Sequence, residues 1–147
     1  MHTSTMNTDY RRAADTREIR EAIRAGETAL SCLYDARDSL NSAGTWGLVD
    51  IFGGNLISGL LKHSKIEDAK RSMTEARNAL SVFQRELRDV DAPSLQVGIN
   101  GFLTFADFFF DGFVVDILMQ SKIGKAKEQV DDAIRRVEDM LRQLRAM

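Results

Sequence analysis

Two stretches of this sequence place an apolar residue at alternating intervals of three and four positions and never slip. The first runs Ile66, Ala69, Met73, Ala76, Leu80, Phe83, Leu87 and Val90. The second runs Ile123, Ala126, Val130, Ala133, Val137, Met140, Leu144 and Met147. This spacing puts every member on one face of an α-helix, whereas a half-buried strand needs a period of two. Kept for over three heptads, it is the seam of helices that pack lengthwise on one another. Each stretch predicts a helix roughly 36 Å long at 1.5 Å per residue.

The two seams belong to a longer repeat. At an offset of 57 residues, Trp46–Val90 lies on Leu103–Met147 without a gap, and twelve of the 45 pairs are identical. Any two amphipathic helices share apolar positions. The shared Asp50 and Asp107, Ser64 and Ser121, and Lys65 and Lys122 follow less easily, so the match reads as an internal duplication. Each copy opens with a glycine-containing apolar segment and continues into its long helix. Ser64 and Ser121 stand where N-caps belong. Glu67 completes a capping box after Ser64, and Gly124 replaces it in the second copy.

A third helix precedes the duplication, from about Asp9 to Ser42, with a capping signal at Asp15 that allows a later start. Its seam reads Ile19, Ile23, Gly26, Leu30, Leu33, Arg37, Leu40, and Asn41-Ser42-Ala43-Gly44 ends it. The only proline, Pro93, sits in the linker between the copies, so little else obliges a helix to break. In the apolar segments (46–62 and 102–118), Thr104, Asp107 and Asp111 form one polar stripe at helical spacing, as do Asn55, Ser58 and Lys62. That favours helix, with a kink or break at Gly53-Gly54. A β-hairpin turning on the two glycines is the alternative. The expectation is an all-α single domain over residues 1–147, divided as 9–45, 46–90 and 103–147. It is an elongated bundle of three long helices and two short apolar helical segments, the latter a pseudo-symmetric pair.

Twenty basic against twenty-two acidic residues give a net charge of -2 and no concentrated basic surface, which argues against nucleic acid. Cys32 is the only cysteine, so no internal disulfide forms and a reducing cytoplasm is expected. Residues Met1–Thr16 have no apolar core, which argues against a signal peptide. Ile99–Met119 is nearly long enough to span a bilayer, but Asp107, Asp111 and Asp116 would each cost roughly 2.5–3.5 kcal/mol there. It reads as buried protein.

Asp50 and Asp107 hold equivalent places in apolar surroundings, and Asp111 lies one turn beyond Asp107. Facing carboxylates of this kind could bind a divalent cation or exchange a proton. They could equally cap helices or pair with bases. His63 precedes an N-cap, and its counterpart is Gln120, so the position does not demand imidazole. Lys65 and Lys122 fall in a first helical turn, where the dipole disfavours a cation. Either Asp50 and Asp107 compensate them, or they hold an anion. Trp46, Phe102, Phe105, Phe109 and Phe113 are expected in the core or in a subunit interface. No phosphate loop, dinucleotide fingerprint, nucleophile elbow or zinc-ligand spacing occurs, so no catalytic residue, metal or cofactor is assigned.

The strings Gly53-Gly54, His63-Ser64-Lys65-Ile66, Phe105-Ala106-Asp107 and Gln120-Ser121-Lys122-Ile123 resemble a group of uncharacterised bacterial helical proteins over residues 44–147. The resemblance implies a helical fold and no activity. The functional expectation is a non-enzymatic interaction or assembly module, homo-oligomeric or bound to a helical protein. The alternatives are a small-molecule or divalent-metal binding protein, with or without catalysis, built on the polar cluster, and a peripheral membrane protein that uses the Phe-rich segment.

Overall fold

Helices account for nearly all of the regular structure. The computed structural model describes the backbone of residues 2–53, 56–110 and 123–147, and the side chains of residues 16–43, 67–109 and 124–147. Helix α1 spans His2–Gly53 (52 residues). Helix α2 spans Leu56–Arg88 (33 residues). A 3-10 turn at Pro93–Leu95 leads into α3, Gln96–Phe110 (15 residues). Helix α4 spans Ile123–Arg145 (23 residues). The described residues contain no strand.

The helices form a packed bundle. Gly26 of α1 faces Phe83 of α2, and further along α1 Ser39 Oγ lies 2.9 Å from Ser72 Oγ. Moving forward along α1 thus moves backward along α2, and the pair is antiparallel. Helix α4 is also antiparallel to α1. Glu27 pairs with Arg145 at 2.8 Å, the Tyr34 hydroxyl donates to Glu138 Oε1 at 2.5 Å, and Arg37 pairs with Asp131 at 3.8 Å. Helix α3 rests on α2 and α4. One continuous apolar cluster joins all four helices and the turn.

In α2 the described members of the apolar face, from Ala69 to Leu87, are all buried, as is Val90 just beyond the helix end. In α4 the same holds from Ala126 to Leu144. Met147 does not extend that face. The helix ends at Arg145, Met147 is exposed, and its sulfur receives a weak hydrogen bond from Ser94 Oγ at 3.6 Å.

Helix α1 departs from expectation in three ways. It begins at His2, and it continues through Asn41-Ser42-Ala43-Gly44 to Gly53. Polar residues and glycine within a helix cost up to about 1 kcal/mol each, and burial of Leu40 and Ala43 on the adjoining face offsets that. Its buried line is Ala22, Gly26, Ala29, Leu33, Ala36, Leu40, Ala43. Ile19, Ile23 and Leu30 lie on its flank and are only partly buried. Small residues face inward because the neighbours come close. A Cβ on Gly26 would stand 2.6 Å from Leu141 Cδ2 and 3.0 Å from the Phe83 ring.

The first apolar segment is not a separate element. Residues 46–53 complete α1 and residues 56–62 open α2, so the hairpin alternative fails for those residues. Gly54 and Asn55 lie outside the described residues. Because α2 starts at Leu56, Ser64 is inside the helix rather than at its N-cap, and Lys65 is past the first turn. Glu67 pairs with Lys70 at 3.2 Å instead of reaching back in a capping box. Ser121 lies outside the described residues.

The proline linker acts as sequence requires. Ala92 is extended (φ -139°, ψ 104°), as the residue before a proline should be, and Pro93 takes the first position of the turn. The α3 that follows starts before the second apolar segment does and carries residues 102–110 of it. Residues 111–118 of that segment lie outside the described region.

One polar contact between α2 and α3 has no equivalent in the sequence 57 positions away. Gln84 Nε2 donates to Asp107 Oδ1 at 2.6 Å. At an offset of 57 the equivalent pair is Leu141 and Asp50. Leu141 has nothing to donate and packs instead beside Gly26 of α1.

Candidate functional site

Helix α3 is the most unusual surface. Its sequence, QVGINGFLTFADFFF, holds a single charge, Asp107. One face is internal, with Ile99, Phe102, Ala106 and Phe109 buried. Phe102 meets Phe83 edge to face with centroids 5.0 Å apart. The ring series continues through Phe105 at 6.0 Å to Phe109 at 5.9 Å. Gly98 lies against the Gln143 side chain of α4.

The opposite face is Val97, Gly101, Thr104 and Phe108, again at helical spacing. Val97 is 87% exposed and Phe108 is 70% exposed. A Cβ on Gly101 would touch nothing within 4 Å. Phe105 lies between the two faces, half-buried, with the Arg136 guanidinium 4.6 Å from its ring centroid. Two open grooves run between this face and α4, of about 340 and 440 Å³. They share Gly101, Asp132 and Arg136, so they are continuous. Another groove, about 330 Å³, lies between α1 and α2 over Ala25, Ala79 and Val82.

Of the polar cluster expected from sequence (Asp50, Asp107, Asp111, His63, Lys65, Lys122), only the Asp107 side chain falls among the described residues. Asp107 is exposed rather than set in apolar surroundings, because its Cα direction on α3 points past the core toward Gln84 and toward Arg88 at 4.0 Å. Asp50 lies near the end of α1 and His63 and Lys65 early in α2, but their side chains fall outside the described residues. Asp111 and Lys122 lie wholly outside them. So does Phe113, and so does the side chain of Trp46. Among the described residues no three His, Cys, Asp or Glu side chains are grouped to hold a metal ion. No helix among them is long and apolar enough to cross a membrane.

Two ionisable groups have altered affinity for a proton. The Tyr34 phenol is held above its usual range, first by its hydrogen bond to Glu138 and then by burial. Arg37, 4.8 Å over the Tyr34 ring, opposes the effect. The Cys32 thiol is raised by burial and then by Asp35 and Glu75.

Sequence reasoning found the inner residues Phe102 and Phe109 and missed the outer face. The signal was present as a second stripe at 97, 101, 104 and 108, offset from the inner one. With these surfaces defined, comparison adds no relative: no family model, no curated protein and no solved structure matches the chain.

Proposed function

We propose that this chain is a non-enzymatic helical interaction module that docks a protein partner on the outer face of α3. The exposure of Val97 and Phe108 on one stripe carries this reading. Covering a side chain of this size removes apolar surface from water for roughly 1.5–3 kcal/mol each. Large apolar side chains left exposed side by side on one helix mark a surface that a partner covers. The setting is that of an interface: an apolar centre, with arginine and acidic groups at the rim on α4.

The finer features belong to the same proposal. The 3-4 spacing of buried residues supports coiled-coil-like packing of α1, α2 and α4. The burial of matched positions such as Ala76 and Ala133, or Leu87 and Leu144, supports descent of the halves from one unit. The lone Cys32 fits a cytoplasmic setting.

Thiol labelling tests the docking face. In a Cys32→Ser background, Val97→Cys and Phe108→Cys should label more slowly in extract of expressing cells than in dilute pure protein. Equal rates in both would remove the interaction reading. Slowing only after addition of phospholipid vesicles would assign the face to a lipid surface and overturn the protein partner.

A further inference from the structure

We propose that the occupant of this face is a second copy of the chain, with α3 antiparallel to α3 of that copy. The inference rests on the interaction reading above and names its partner. It starts from the order of residues on the exposed stripe. Val97, Gly101, Thr104 and Phe108 read large, small, small, large, with intervals of four, three and four. That order is the same in both directions. A twofold axis passing between residues 102 and 103 sets Val97 against Phe108 of the second copy. It sets Gly101 against Thr104 of that copy. Self-complementarity of this kind is what an isologous contact demands of a single patch.

The centre of the stripe suits close approach. Among the described residues a Cβ added at Gly101 would meet no atom within 4 Å, whereas at Gly98 it would meet the Gln143 side chain. Glycine inside a helix is less stable than alanine, and no described residue fills the space beside it. A helix crossing over Gly101 would use it, while the larger ends clasp on either side.

Desolvation of the stripe leaves no donor stranded. Thr104 is its one polar side chain, and its Oγ1 already donates to the Asn100 carbonyl at 2.9 Å. Covering it therefore does not expose an unpaired hydroxyl to an apolar surface. The rim is also compatible with its own copy. Asp132 is shared by Arg135 at 3.6 Å and Arg136 at 3.4 Å, and Asp139 pairs with Arg142 at 3.6 Å. A rim of one sign would repel itself; this one carries both.

The test is sedimentation equilibrium of the whole purified chain, from dilute to concentrated, with Thr104→Arg as the variant. The wild type should reach twice the chain mass, and Thr104→Arg should remain a monomer with unchanged helix content by circular dichroism. Register is read separately in a Cys32→Ser background. Gly101→Cys chains mixed with Thr104→Cys chains should oxidise to the mixed dimer in preference to either homodimer. A wild-type monomer at all concentrations overturns the second copy, as does a dimer that Thr104→Arg leaves intact. If the pure chain is monomeric while Val97→Cys and Phe108→Cys stay protected in extract, the interaction reading stands with a different protein as partner. Equal labelling everywhere removes both.

Discussion

Tyr34 shows how one contact fixes both packing and a response to pH. Its hydroxyl bridges α1 to Glu138 of α4, and the carboxylate that accepts this bond also disfavours loss of the phenolic proton. Cys32, close by on α1, shifts in the same direction through burial. Both folded-state values lie above those of the unfolded chain. Both groups therefore stabilise the fold fully below the free thiol and phenol ranges, about pH 8.5 and 10, and the contribution fades as pH rises through the folded values. Urea melts should show stability falling from neutral to alkaline pH. Tyr34→Phe should lower neutral stability by about 1 kcal/mol or less, since the pair is partly solvated. The same variant should flatten the alkaline decline. An unchanged slope in Tyr34→Phe would separate the decline from this contact.

At the scale of the helix, residue size decides how near α1 lies to its neighbours. Ala22, Ala29, Ala36 and Ala43 recur at every seventh position on its buried line. Ala36→Leu should overpack that line and lower stability by roughly 1–3 kcal/mol. In thermal melts that is about 2–4 °C per kcal/mol for a chain of this length. Ala25→Leu should change the midpoint little, because Ala25 borders the open groove of about 330 Å³ over Ala79 and Val82. Equal losses from the two variants would contradict the burial pattern of α1. The same feature explains which elements sequence revealed. The inward faces of α2 and α4 carry Met73, Leu80, Phe83, Val137, Met140 and Leu144, whose bulk marks them plainly. In α1 the inward residues are mostly alanine and glycine, and the larger Ile19, Ile23 and Leu30 sit on the flank. A reading that follows bulk tracks the wrong line there. The outer face of α3 stayed hidden for a related reason. Hydropathy marks a helix as apolar without showing which of its sides the rest of the chain covers.

At the scale of the whole molecule, positions 57 residues apart among the described residues are alike in burial but not always in chemistry. Matched positions 57 residues apart are buried in both halves at Met73 and Val130, Leu80 and Val137, and Phe83 and Met140. They differ in chemistry at Gln84 and Leu141, which are also both buried. Gln84 is the only buried polar or charged side chain among the described residues, and its bonded acceptor, Asp107, is exposed. That unequal exposure sets the sign of a substitution. Replacing Gln84 with the residue of the other copy, Gln84→Leu, removes a polar amide from the core and fills similar volume with apolar atoms. Asp107 loses its donor but turns to water and remains near Arg88. A buried polar group is costly to orphan, whereas removing it together with its need for a partner is neutral or stabilising. Gln84→Leu should therefore leave stability unchanged or raise it by up to about 1 kcal/mol. Because one apolar cluster joins all four helices, far-ultraviolet and near-ultraviolet circular dichroism should report the shift in a single coincident transition. A loss of more than about 1 kcal/mol would mean that Gln84 holds α3 in place through Asp107. The two halves would then not be interchangeable at this position, and common descent would leave no trace in how the core is filled there.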